Sequence, residues 1–203
     1  MTKNMWVFLL ICVGLLAGGL YYRYHVSLTD ERGATRLMQA LEQHAQLGET
    51  KKFIRRSGDI NERDKAGQTA LFYAARHTED PEVIRQLLEA GADLHLADNN
   101  GQTALMVAAK ENPTVAVLEE FTKNGAHVDA KNNAGETPLW LAARYNSPAV
   151  VKALLQARAN PDELGPNGQT VAQALAENEK FSEQERTDYR QAMLVLSILR
   201  GDK

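Results

Sequence analysis

Five histidines, one cysteine and a mixed set of carboxylates are the side chains of this 203-residue chain that could do chemistry. Neither their order nor their spacing assembles a reactive group. His25, His44, His77, His95 and His127 lack metal-ligand spacing, and His95 and His127 read as solvated or locally bonded. A lone Cys12 excludes an intrachain disulfide and any multi-cysteine metal site. Asp98-Asn99-Asn100-Gly101 has the composition of a calcium loop, but the ligand order and the glutamate at loop position twelve are missing. There is no Walker-type glycine-lysine loop, no Gly-x-Ser-x-Gly and no His-Glu-x-x-His. Glu119 and Glu120 read as solvated helix residues, and no aromatic platform for stacking bases is present. The expectation is therefore no enzyme, no metal, no cofactor, no small-molecule substrate and no nucleic-acid partner. With 23 basic and 26 acidic residues, the formal charge of −3 describes a mixed surface that calls for no polyanion. What remains is recognition: a cation recurs every 34 residues, as Arg76, Lys110 and Arg144.

That recurrence belongs to a larger one. GQTAL at Gly67 returns as GQTAL at Gly101, GETPL at Gly135 and GQTVA at Gly168. Self-similarity at a period of 33–34 residues marks a stacked helical repeat. Each residue type has a physical task. Thr69, Thr103, Thr137 and Thr170 stand where a hydroxyl can cap a helix, and Pro138 suits the first helical position. The pairs Ala74-Ala75, Ala108-Ala109 and Ala142-Ala143 are small enough for close helix approach. First helices are expected to end near Pro81, Pro113 and Pro148, because the residue before proline is driven from the α region. Second helices follow, with Val83, Ile84, Leu87 and Leu88 recurring as Val115, Leu118 and Phe121 and as Val150, Val151, Leu154 and Leu155. Gly91 and Gly125 close two of them. Arg158 stands at the third equivalent place, an expected loosening of that helix end. Asp64, Asp98 and Asn132 suit Asx turns, where the last unit has Gly165.

With the TPLWLAA run at 137–143 and the LLEAGAD run at 87–93, this pattern resembles the ankyrin repeat. The resemblance implies an all-α solenoid of helix-turn-helix units with short β-hairpin fingers. Residues 33–66 form a degenerate first repeat, 67–100, 101–134 and 135–167 full ones, and 168–200 a capping repeat. In the first unit the expected helices are 36–46 and 50–56, with Leu47-Gly48 as the turn. In the last, Ser182 and Glu185 have capping-box spacing before a long final helix. The family works mainly by protein recognition on a concave face of finger tips and first helices. By position, that face here comprises the tips Arg63, Lys65, Ala97, Asn99, Lys131 and Asn133, then Gln68, Gln102 and Glu136, and finally the column Arg76, Lys110 and Arg144, followed by His77, Glu111 and Tyr145. Its six basic against two acidic residues predict a protein partner with an acidic surface. A competing reading of the column is structural, because a cation in the last turn of a short helix is favoured by the helix dipole without any partner.

The N-terminus adds a second element. Residues 5–22, MWVFLLICVGLLAGGLYY, hold no charge, and at 1.5 Å per residue they reach about 27 Å against a hydrocarbon core of about 30 Å. Trp6 at one edge and Tyr21, Tyr22 and Tyr24 at the other favour a retained transmembrane helix, assigned to residues 1–25 with a connector at 26–32. A cleaved signal peptide ending at Ala17-Gly18-Gly19 is the competing reading. Lys3 against Arg23, Arg32 and Arg36 favours the repeats inside, whereas the short basic leader resembles an export signal. Gly14 and Gly18 are spaced for close packing of two membrane helices, which opens homodimerisation or assembly into a membrane complex as an alternative function. The layout resembles membrane-tethered ankyrin proteins of bacteria. That implies an inner-membrane protein with periplasmic repeats that inhibits, or protects against, an envelope enzyme or toxin.

Overall fold

The computed structural model describes residues 29–43 and 47–200. Their ten α-helices come in pairs: α1 (Arg36–Glu42) with α2 (Leu47–Arg56), α3 (Ala70–His77) with α4 (Pro81–Glu89), α5 (Ala104–Glu111) with α6 (Val115–Lys123), α7 (Pro138–Tyr145) with α8 (Pro148–Gln156), and α9 (Val171–Ala176) with α10 (Glu183–Arg200). The first helices α1, α3, α5, α7 and α9 pack in succession to form one row, and α2, α4, α6 and α8 form a second row against it.

The row of first helices is the core. Every residue from Ala104 to Ala109 and from Pro138 to Ala143 is buried, so α5 and α7 are enclosed on nearly all sides. The alanine pairs let successive helices approach, and Phe72, Leu105, Met106, Leu139 and Leu141 fill the space between them. Second helices bury one face only, through Val83, Ile84 and Leu87 in α4 and Val150, Val151 and Leu154 in α8. Each such side chain, fully buried, contributes about 1.5–3 kcal/mol.

Helix starts follow the threonines with one exception. Thr103, Thr137 and Thr170 accept from the backbone N–H three residues on, whereas Thr69 makes no side-chain cap and its buried hydroxyl has no partner. Helix stops follow the expected proline mechanism at Pro113, which the extended Asn112 directly precedes, whereas α3 and α7 end short of Pro81 and Pro148. The first helices end at extended residues, Thr78, Asn112 and Asn146, and prolines begin the second helices at Pro81 and Pro148. In the first repeat, α1 stops at Glu42, and Leu47-Gly48 lies within α2 rather than forming the turn. Arg158 does not loosen its helix end: it takes the left-handed φ of 66°. The closing bonds Arg158 N–H to Leu155 O and Ala159 N–H to Leu154 O match those at Gly91 and Ala92. The Ser182–Glu185 capping box forms as its spacing predicts.

Two parts of the expected architecture are corrected. The fingers are not β-hairpins: among the described residues there are no strands, only an isolated bridge between Ala97 and Thr103. The fingers are too short for a ladder. Each is closed by an Asx side chain, with Asp64, Asp98 and Asn132 each accepting two backbone N–H groups of their own turn. Nor does any helix among the described residues have the length and apolarity to cross a membrane. Even 18-residue α10 carries Glu183, Glu185, Arg186, Asp188 and Arg190 in its first half. The expected span 5–22, with Gly14 and Gly18, lies outside the described residues.

Candidate functional site

The residue after each alanine pair is the first of its helix to leave the core. At this place Arg76, Lys110 and Arg144 form a row in which each cation reaches the residue that ends the next first helix or follows it. Arg76 Nε meets Glu111 Oε2 at 2.7 Å, and Arg76 Nη1 donates to Gln68 Oε1 at 3.3 Å. Lys110 Nζ lies 5.2 Å from the centre of the Tyr145 ring. Arg144 Nη2 pairs with Glu177 Oε2 at 3.0 Å, its Nη1 donates to Glu177 O, and its guanidinium carbon is 5.6 Å from the same tyrosine ring. Tyr145 is held edge-on to Trp140, with centroids 6.3 Å apart, and remains 42% exposed. The two ion pairs, partly exposed, contribute about 0.2–1 kcal/mol each. They join repeat to repeat, a role that neither the binding reading nor the helix-dipole reading of the column contained.

The finger tips form a second line of inter-repeat bonds. Asn99 Nδ2 donates to Lys65 O at 2.9 Å and Asn133 Nδ2 to Asn99 O at 3.3 Å, while backbone N–H groups of Lys65, Asn99 and Asn133 reach Arg32, Ala66 and Asn100. Lys65 Nζ donates to Glu31 O, and Lys131 pairs with Glu163 at 2.8 Å. Gln68 Nε2 reaches Asp98 Oδ2 at 3.3 Å, and Glu136 accepts from Asn132 Nδ2 at 2.6 Å. Arg63 is exposed, Ala97 and Gln102 are half-buried, and His77 is half-buried within electrostatic reach of Glu42. The structure thus brings Arg76, Lys110, Glu111, Arg144 and Tyr145 into one row. It ties Lys65, Asn99, Lys131 and Asn133 into finger bonds.

Several determinants of this surface escape sequence reading. Asn112, Asn146 and Asn178 are buried, and each Nδ2 donates twice to carbonyls of the preceding repeat: to Ala75 and Thr78, to Ala109 and Asn112, and to Ala143 and Asn146. The available signal was an asparagine three residues after Ala109 and again after Ala143. Gly165 replaces the Asx residue of the last finger because the Trp140 indole occupies the space a side chain would need. Tyr73 Oη donates to Asp64 Oδ2 at 2.9 Å; burial, then that bond, push its phenol up to about 12. At the outer end, Asp30 is lowered first by the Ala34 N–H, and Glu42 first by its bond to Arg32, which bridges both carboxylates.

No group of three or more His, Cys, Asp or Glu among the described residues could hold a metal. His95 and His127, on adjacent turns, meet in a tilted contact with ring centres 4.4 Å apart and planes 40° from parallel. An open, largely apolar cleft of about 440 Å³ lies between α8 and α10, lined by Lys152, Leu155, Gln156, Asp188, Tyr189 and Ala192. It shares no residue with the row. The arrangement along the row can pair charges and offer an aromatic face.

Compared with known families, residues 8–98 and 77–165 match the model described as "Ankyrin repeats (3 copies)", which together cover most of the chain. No curated protein matches it.

Proposed function

The chain belongs to the ankyrin-repeat family, and from that premise we propose that it binds an acidic protein partner along the row from Arg76 to Arg144. Ankyrin-repeat proteins are generally non-catalytic interaction modules. The observation that carries the proposal is Tyr145: an aromatic left 42% exposed, yet oriented by Trp140 and two cations, is the kind of residue that anchors interfaces. Attachment to a membrane is a further part of the proposal and rests on the uncharged run 5–22, and the periplasmic side for the repeats rests on the short basic leader at Lys3. Extraction of membranes at alkaline pH tests that part, since a chain released by it is not embedded.

Internal bonding of the row decides how binding is tested. Reversing Arg76 or Arg144 breaks bonds between repeats, so loss of binding in such variants would be ambiguous. The informative variant combines Gln102→Ala, Lys110→Ala and Tyr145→Ala, which touches none of the ion pairs. Affinity capture from native extracts should retain a partner on the wild type and lose it on this variant, with melting temperatures matched. Equal retention by both would place the binding surface elsewhere.

A further inference from the structure

The row follows a rule, and one place departs from it. Each cation reaches the residue that precedes the buried asparagine of the next repeat: Glu111 before Asn112, Tyr145 before Asn146, Glu177 before Asn178. The sequence at that place runs carboxylate, tyrosine, carboxylate. Arg76 and Arg144 therefore have anionic partners, whereas among the described residues the Lys110 ammonium has only the tyrosine ring. Summed over Arg76, Lys110, Arg144, Glu111 and Glu177, the row is left with one positive charge, centred between two neutralised pairs.

We propose that Lys110 and Tyr145 form the point that takes a single carboxylate side chain, an Asp or Glu next to an apolar residue, from the protein partner. Lys180, whose Nζ donates to the Tyr145 carbonyl at 2.7 Å, adds a second cation beside Tyr145, so an anionic side chain is the complementary group. The exposed part of the Tyr145 ring offers apolar surface for the neighbouring residue, and the ring is already positioned by Trp140 and Arg144. A cation over an exposed ring is attracted only weakly, so Lys110 is available for a stronger, charge-assisted bond. This inference rests on the protein-binding reading above and narrows it from a basic face to one position.

The test selects twelve-residue peptides from a random library on the immobilised full-length chain and measures the enriched peptides by fluorescence polarisation. The expected peptides share one acidic position beside an apolar one, and changing that acid to its amide weakens binding at least tenfold. Tyr145→Glu supplies Lys110 with the internal carboxylate that Glu111 supplies to Arg76. It should weaken binding at least tenfold while leaving the melting temperature unchanged or raised. Tyr145→Phe should bind within twofold of the wild type. Peptides without an acidic position, or binding within twofold in Tyr145→Glu, would overturn the inference, as would a library that yields no binder. If such peptides nonetheless lose affinity on substitution of Gln68, Gln102 or Arg63, the broader reading stands without this point. Indifference to every substitution along the row removes both.

Discussion

Replacing Asn146 by alanine is the most informative perturbation of the frame. Its side chain is 3% exposed and lies between repeats. Nδ2 donates to Ala109 O at 3.0 Å and Asn112 O at 2.9 Å, and Oδ1 accepts from Ser147 N–H at 2.8 Å. The Ala109 carbonyl has particular need of this donor. Its helical partner four residues on would be Pro113, which has no N–H. Three bonds at a net of about 0.5–1.5 kcal/mol each, with two carbonyls left in a dry interface, put the cost of Asn146→Ala at about 2–4 kcal/mol. For a domain of this size each kcal/mol moves the melting temperature by roughly 2–4 °C, so the expected fall is about 5–15 °C. Thermal unfolding followed by circular dichroism at 222 nm measures this fall, and urea denaturation measures the free-energy cost. Asn124→Ala is the control, because Asn124 is exposed and its amide bonds only within its own helix, to Glu120; it should cost less than about 1 kcal/mol. Because repeats are stabilised by their nearest neighbours, hydrogen exchange in Asn146→Ala should quicken first around α5, α7 and α8. A cost below about 1 kcal/mol for Asn146→Ala, or equal costs for the two variants, would refute the brace.

Gly165→Ala forces a methyl into the Trp140 indole and should destabilise by about 1–3 kcal/mol, with an altered tryptophan emission; an unchanged emission and midpoint would mean the last finger can shift freely. Arg158→Gly removes a non-glycine residue from φ of 66° and should stabilise by about 0.5–1 kcal/mol in the same urea assay. Tyr73, pushed up to about 12 from an ordinary value near 10, holds its proton more tightly folded than unfolded. The stability it contributes is complete below about pH 10 and is lost as pH rises toward 12, so Tyr73→Phe should flatten the alkaline limb of a stability–pH curve. It should also cost about 1 kcal/mol at neutral pH through the lost bond to Asp64. An alkaline limb as steep in the variant as in the wild type would assign the loss to other groups.

The parts legible in the sequence share one property: each is decided within a few residues. A 34-residue recurrence of Gly, Thr and an alanine pair specifies paired helices. Asp64, Asp98 and Asn132 close turns on their own backbone, and the Ser182–Glu185 box caps the helix it precedes. The same locality explains the errors. The fingers carry turn residues without the length that pairing requires, so the turn signals suggest hairpins where a single bridge forms among the described residues. Proline stops one first helix, where Asn112 precedes Pro113; α7 ends earlier, at an extended Asn146 whose amide is satisfied one repeat away, and α3 ends at Thr78.

For the candidate surface, sequence alone placed a cation after each alanine pair and an aromatic at Tyr145. Which cation is free depended on contacts 33–35 residues apart, between side chains that only stacking brings together: Arg76 with Glu111, Arg144 with Glu177, and Lys110 with the Tyr145 ring. The period of a repeat determines that such neighbours exist. It does not say how far a guanidinium or an ammonium leans across the gap, because that is set by the packing of the next repeat, by Trp140 beneath Tyr145, and by the buried amides that hold the helices in register.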